Sequence, residues 1–186
     1  SLRKVLHGAA PVSEAVKHRM IEWWGPILLE YWGGTEGGVN TLIDSEDWLA
    51  HPGTVGRSLP AFDVFAVNDS GERLPAGGIG DLYCRSSVSD RPFEYHGDPA
   101  KTDGAYLEPG VFTIGDVGFI DDDGYVHLAD RKSNMIISGG VNIYPVEIEQ
   151  VIGEHPAVSD VGVFGIPNEE WGESVKAAIE LRDGFE

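Results

Sequence analysis

Glycine and proline set the first limit on this chain: 25 glycines and 11 prolines among 186 residues place a turn former at about every fifth position. That density suits a loop-rich fold containing β structure and stays below the range of disordered chains. Charge narrows the choice further. Asp and Glu number 31 against 13 Lys and Arg, a formal net charge of −18. Such a surface argues against gripping a nucleic-acid backbone, which needs a basic face, and against adhesion to anionic lipid. The single cysteine, Cys84, excludes an internal disulfide and any multi-cysteine metal site. No stretch approaches the roughly 18 consecutive apolar residues of a membrane span, and no charged-then-apolar leader opens the chain. The expected setting is a reducing cytoplasm, with no nucleic acid and no membrane span. The chain starts at Ser1 on a strand already under way. It closes on Val175, Ala177, Ile179 and Leu181, alternating as a half-buried strand does, and stops at Glu186. Neither end reads as a tail, so a piece of a longer protein is expected.

Three regions follow along the chain. The first opens with the run "LRKVLHGAAPVS", in which a short strand ends in a Gly-Ala-Ala-Pro turn. Ser13 then starts an amphipathic helix through Trp23, with Val16, Met20 and Trp23 at helical spacing. "PILLEYW" reads as a buried strand that "GGTEGG" breaks. The second region, residues 53–128, reads as β structure. "FDVFAV" and "GDLYCRS" alternate, and "VGFIDDDGYVHL" is a hairpin turning at Asp123-Gly124. The third starts near Asp130, with "NMIISGG" a strand into a glycine pair and Pro145 in the first turn of a helix. "AVSDVGVFGI" and the terminal strand complete a β-α-β-β pattern.

Three motifs carry candidate chemistry. In "EYWGGTEGG" the bare backbone of Gly33, Gly34, Gly37 and Gly38 brackets Thr35-Glu36 after a buried strand. Bare backbone approaches a phosphate closely, and Thr35 adds a hydroxyl. Glu36 is a hard oxygen ligand suited to Mg²⁺, and Trp32 offers a flat face to a purine. The same residues fit a plain glycine-rich turn with a core tryptophan and a solvated glutamate. In "FTIGDVGF", Asp116 is placed to accept both hydroxyls of a ribose, or else is a turn aspartate. Arg131 lies where the second region meets the third and fits either a bridging ligand contact or an ion pair between domains. Gly139-Gly140 ends a strand and lets something thin lie along the backbone, or makes a tight bend. Other chemistries fail. The Asp121-Asp122-Asp123 run lacks the spacing of a calcium loop, and the six histidines show no zinc spacing. None of the five lysines sits in a glycine-rich phosphate loop.

Taken in order, "HGAAP", "YWGGTEGG", "GTVGRSLP", "GERLPAGGIGDLYCRS", "GVFTIGD", "GYVHLADRKSNMIISGGVNIYPVEIE" and "GIPNEEWGES" resemble the AMP-forming acyl-CoA synthetase family. That family belongs to the adenylate-forming superfamily shared with luciferases and peptide-synthetase adenylation domains. The resemblance runs from His7 to Ser174. It implies a mixed α/β and α+β architecture. Residues 1–129 would close a large AMP-binding domain, with 53–128 a twisted or β-barrel-like subdomain. Residues 130–186 would be an incomplete small α+β C-terminal domain after a hinge near 131–133. The resemblance assigns Gly8, Ala9 and Ala10 to the adenine and acyl pocket and Trp32, with Gly33 beside it, to adenine. Thr35 falls to phosphate, Glu36 to Mg²⁺, and Asp116 and Arg131 to the ribose. Ser133 takes the pivot, and Gly139 and Gly140 line the pantetheine tunnel.

The implied chemistry joins a carboxylic acid, fatty or aromatic, to ATP as an acyl-adenylate with release of pyrophosphate. CoA then takes the acyl group and AMP leaves. Val111 and Ile114 depart from the family's usual "GWFxTGD", and Ser133 stands where Asp or Lys is usual. The family's lysine-bearing phosphate loop and its catalytic lysine do not occur in the 186 residues, so this chain alone is expected not to form acyl-adenylate. The rival is a non-catalytic module that holds a nucleotide or a partner. Association with a second copy is a further expectation.

Overall fold

The computed structural model describes residues 2–10 and 12–185. Ser1, Glu186 and Pro11, which ends the Gly-Ala-Ala-Pro turn, lie outside the described residues. The chain divides into two compact units, Ser1–Leu128 and Ala129–Glu186. No helix among the described residues is long and apolar enough to cross a membrane.

The larger unit opens with a crossover: strand β1 (Val5–His7), helix α1 (Glu14–Trp24) and strand β2 (Leu28–Gly34). Ser13 caps α1 by accepting from the Val16 amide at 3.4 Å. β1 runs parallel to β2, with His7 opposite Glu30. β3 (Gly38–Asp44) returns antiparallel to β2. α2 (Ser45–Ala50) follows, and β4 (Arg57–Ser58) pairs with β3. "GGTEGG" is therefore the tip of a hairpin, Gly34 opposite Gly38, and not simply a break after a strand.

Two of the three residues of the apolar stripe expected on α1 face outward, and Met20 alone packs against the core. Val16 is 45% and Trp23 74% exposed, whereas Lys17 and Ile21 are buried. The reason lies in β2, where Leu28, Glu30 and Trp32 alternate inward. A buried glutamate needs a cation opposite it. Lys17 Nζ supplies one at 2.5 Å from Glu30 and also stands over the Trp48 ring. Ile21, Leu28, Ile43, Trp48 and Tyr125 pack around this pair's side of the sheet.

The rest of the larger unit is β5 (Phe62–Val67), β6 (Gly80–Ser86), α3 (Pro99–Gly104), β7 (Tyr106–Glu108), β8 (Val111–Phe112), β9 (Asp116–Ile120) and β10 (Val126–Arg131), the strand in which the chain passes to the smaller unit. The sheet order is β10-β9-β6-β8-β7, with β5 also on β6. β6 meets β9 through Gly80 and Asp81 and β8 through Cys84 and Arg85. The path does not close, so the sheet is open and not a barrel. The alternation expected of "FDVFAV" is present in β5, with both of its faces covered. Val64 and Ala66 join the core of Trp32, Leu82, Cys84, Phe112, Ile114 and Val126, while Phe65 and Val67 pack with Val111 on the other face. Asp121 organises the β9–β10 turn by accepting from the amides of Asp123 (3.0 Å) and Tyr125 (2.9 Å).

The smaller unit holds β11 (Ile136–Ser138), β12 (Val141–Ile143), α4 (Pro145–Gly153), β13 (Val158–Asn168) and β14 (Gly172–Leu181). Its sheet order is β12-β11-β14-β13, dominated by the β13–β14 hairpin. α4 packs on β13. The alternating positions of β14 form the expected strand without the expected burial, since Ile179 and Leu181 are 49% and 42% exposed.

Candidate functional site

Two of the glycine-rich motifs leave the carboxyl ends of neighbouring parallel strands, where open α/β sheets place their ligands. Gly8 follows β1 and lies so close to β2 that an added Cβ would stand 2.6 Å from the Tyr31 ring and 2.7 Å from its carbonyl oxygen. Ala9 adopts φ 69°, the one positive φ outside glycine among the described residues. Such backbone costs of order 1 kcal/mol and concentrates at functional sites. At the tip of the β2–β3 hairpin, a Cβ on Gly33 would meet the Gly38 carbonyl oxygen at 1.9 Å, so closure of the loop demands bare backbone there. The tip presents Thr35, exposed, with its hydroxyl donating to Glu36 Oε2 at 3.2 Å.

The second motif reaches the same place from 84 residues away. Asp116 begins β9, buried, and its Oδ2 accepts the indole N–H of Trp32 at 2.7 Å. The turn before it is closed by the Gly115 amide donating to Thr113 Oγ1 at 3.0 Å. Ile114, where the family pattern has threonine, packs into the core beside Trp32. A Cβ on Gly34 would meet Glu36 Oε2 at 2.8 Å and Ile114 Cδ1 at 3.7 Å. Segment 112–116 thus runs alongside the hairpin tip, bringing Trp32, Gly33, Thr35, Glu36 and Asp116 together. Trp32 is 5% exposed and belongs to the core. Its indole N–H holds Asp116, in keeping with the core-tryptophan alternative of the sequence.

The remaining expected residues lie in the smaller unit. The Arg131 amide donates to Asp130 at 2.6 Å, and its carbonyl accepts from the Asn134 amide at 3.0 Å, closing a turn that contains Ser133. Asp130, which the sequence reading passed over, also accepts from Asn134 Nδ2 at 3.1 Å and from the Val146 amide at 3.2 Å. Its carboxylate thereby supplies the cap that Tyr144 does not give α4. Gly139 donates its amide to the Trp171 carbonyl at 2.8 Å, and the Trp171 indole covers it. Gly140 has open space beside its α-carbon.

Two further features have no sequence signal at short range. Glu36 Oε1 accepts from the Tyr95 hydroxyl at 3.1 Å, across 59 residues. His7 borders the Lys17–Glu30 pair in a cavity of about 10 Å³ also lined by Ser45 and Trp48. Burial lowers the His7 pKa, and Lys17 lowers it further against the pull of Glu30. Burial, with Asp116 and Asp63 nearby, pushes the Cys84 thiol above its usual range, which removes it as a nucleophile.

Among the described residues no group of three or more His, Cys, Asp or Glu side chains is placed to hold a metal. A single carboxylate such as Glu36 is nevertheless compatible with Mg²⁺, which is commonly held by one or two carboxylates, substrate phosphates and water.

A family model described as "AMP-binding enzyme" matches residues 1–89, and one described as "AMP-binding enzyme C-terminal domain" matches residues 147–186. Long-chain-fatty-acid–CoA ligase FadD13 of Mycobacterium tuberculosis is 40% identical over 97% of this chain, which covers 35% of that protein. The mitochondrial acyl-coenzyme A synthetase ACSM4 of Rattus norvegicus is 36% identical over 99% of the chain, covering 32% of the rat protein. Among solved structures, o-succinylbenzoate CoA synthetase of Bacillus subtilis in complex with the acyl-adenylate intermediate superposes with a TM-score of 0.87 at 26% identity, over 100% of this chain and 37% of that one. The amide bond synthetase McbA of Marinactinospora thermotolerans gives 0.86 at 34% identity, over 99% and 38%. The chain therefore spans about a third of the length of the curated relatives it matches.

Proposed function

The chain belongs to the AMP-binding enzyme family, and from that premise we propose that it carries the nucleotide-gripping part of an ATP-dependent carboxylate:CoA ligase. The reaction is carboxylate plus ATP to acyl-AMP plus pyrophosphate, then attack of the CoA thiol on the acyl carbon with AMP as leaving group. One observation carries this reading: the Trp32–Asp116 hydrogen bond of 2.7 Å ties the glycine-rich motif that leaves the carboxyl end of β2 to the segment that opens β9. Asp116, held by Trp32, takes the ribose hydroxyls. The Thr35 hydroxyl, which donates to Glu36 in the free chain, turns to the α-phosphate, and Gly33 and the small-residue turn Gly8–Ala10 border the nucleotide. Glu36 is the residue that would hold Mg²⁺, which supplies charge neutralisation on the phosphates. The family motif gives Arg131 a ribose-binding role, Ser133 the pivot between the half-reactions, and Gly139 and Gly140 the path of the pantetheine arm. No covalent protein nucleophile is needed, because positioning and charge stabilisation lower the barrier.

A second reading has its own support. None of the five lysines lies in a glycine-rich loop, which favours nucleotide binding without turnover by this chain. Calorimetric titration of the 186-residue chain with AMP tests the first reading. Saturable binding that drops at least about thirtyfold in Asp116→Ala is expected, from loss of contacts to a charged group. Absence of AMP binding would defeat it. A pyrophosphate-release assay with ATP and short, long and aromatic acids separates the readings, and background rates are expected for this chain alone.

A further inference from the structure

The Glu36 carboxylate does not stand unsupported at the hairpin tip. Tyr95, 59 residues away, donates its hydroxyl to Oε1 at 3.1 Å while the Thr35 hydroxyl donates to Oε2 at 3.2 Å, so each oxygen has its own donor. Tyr95 is itself fixed on three sides. Its backbone amide donates to Thr102 Oγ1 at 2.9 Å, and Thr102 is 1% exposed. That hydroxyl in turn donates to the Asp98 carbonyl at 2.9 Å, tying the residue to the start of α3. The edge of the Tyr95 ring meets Phe93, with centroids 5.4 Å apart, and Phe93 belongs with Tyr106 and Phe112 in the packing around the core. The Lys101 ammonium sits 3.9 Å from the ring centroid. A cation over a phenol draws electron density from the ring and makes its O–H a stronger donor.

We propose that Tyr95, backed by Lys101, is a positioning residue that holds the Glu36 carboxylate in the orientation needed to receive a Mg²⁺–nucleotide. The proposal rests on the nucleotide reading given above and adds a part that the motif around Glu36 does not contain. Physically, an unrestrained glutamate at an exposed hairpin tip loses rotamer freedom each time it engages a metal. The Tyr95 donor, which stays on Oε1 when Thr35 turns to the phosphate, spends part of that entropy in advance and leaves Oε2 free to meet the metal. Lys101 also keeps a positive charge on the ring that donates to Glu36, in a chain whose net charge is −18.

The test uses the 186-residue chain and three titrants: AMP without metal, ATP with EDTA, and ATP with Mg²⁺. In Tyr95→Phe, which removes only the hydroxyl, Mg²⁺–ATP affinity is expected to fall about tenfold, in keeping with loss of a hydrogen bond to a charged group. Metal-free AMP affinity and the thermal midpoint should stay at their parent values. The Mg²⁺-dependent loss should vanish when the same change is made in Glu36→Gln, the signature of two groups acting through one contact. Lys101→Met, which keeps the stem over the ring, should give a smaller loss of two- to threefold, an estimate from the strength of exposed cation–ring contacts. Unchanged Mg²⁺ dependence in Tyr95→Phe overturns the proposal while leaving the nucleotide reading intact. So does a parallel fall in metal-free AMP affinity, or a full tenfold effect in the Glu36→Gln background. If the parent chain binds none of the three titrants, the nucleotide reading falls and the positioning role falls with it.

Discussion

The two units solve the problem of burial differently. In the larger one, the interior holds Lys17, Glu30, Asn40, Thr41, Ser45, Thr54, Thr102 and Asp116 as well as apolar side chains. Thr41 and Thr54 are each spent on a backbone carbonyl, at 2.6 Å to Val55 and 2.7 Å to Val126, and Lys17 on Glu30. The smaller unit buries Ile136, Ala157, Val158, Val163 and one carboxylate, Asp130, and leaves Ile137, Val141, Val151, Phe164, Trp171, Ile179 and Leu181 exposed. Its order comes chiefly from the β13–β14 ladder. A dense core is what allows polar groups to be held at fixed positions, since an interior that cannot rearrange cannot let a carboxylate wander. The thin unit suits motion, and local opening free energies should be lowest there.

The contrast can be broken most sharply at the Lys17–Glu30 pair. Lys17→Met strands a buried carboxylate and should cost the larger unit about 3–5 kcal/mol in denaturant unfolding, whereas Lys17→Met with Glu30→Leu should recover most of it. A loss below about 1 kcal/mol would mean the pair is solvated and the interior less rigid than argued. Ile136→Ala comes next, at about 2–4 kcal/mol. By hydrogen exchange it should speed the amides of β13 and β14 and leave those of β6 unchanged. Equal acceleration in both units would show that they unfold as one. Trp32→Phe removes the donor to Asp116 and should cost about 1–3 kcal/mol together with AMP affinity, read by calorimetry.

The pH dependence is the smallest effect. Burial keeps His7 neutral in the fold, so the unfolded chain binds the proton first as pH drops below about 6.5, and stability of the larger unit declines from there. His7→Gln should flatten that slope in urea titrations at pH 5 to 7. Asp121 has the same sign of pH dependence from a different cause. Burial would raise its pKa, but the bonds from His127, Tyr125 and Asp123 outweigh burial and hold it below the usual value. Its contribution is present above about pH 3.9 and is lost as pH falls through the lower folded value.

Local grammar made much of this fold readable. Ser13 announced α1, Pro145 announced α4, and Asp123-Gly124 marked the β9–β10 turn, because caps and turns are chemistry within four residues. The face of α1 was not readable. Val16, Met20 and Trp23 form a good apolar stripe, yet the buried side is set by Glu30 on β2, a partner outside the helix. β14 misled for a related reason: alternation declares a strand but does not say what covers its face. In the site, Trp32, Thr35, Glu36 and Asp116 were found as separate motifs, and the Trp32–Asp116 bond was not. Tyr95 was missed because a single tyrosine in "FEYHGDPAKT" carries no mark of a partner 59 residues earlier.

The span of that bond has a consequence for how the molecule comes into being. Trp32 and Asp116 stand in different sheets of the larger unit with 83 residues between them. Non-local closures of this kind are slow and come late. During refolding, formation of the Trp32–Asp116 contact should therefore lag the recovery of strand signal, so this corner of the site matures after the scaffold. Ligand present from the start would accelerate nothing before that last step.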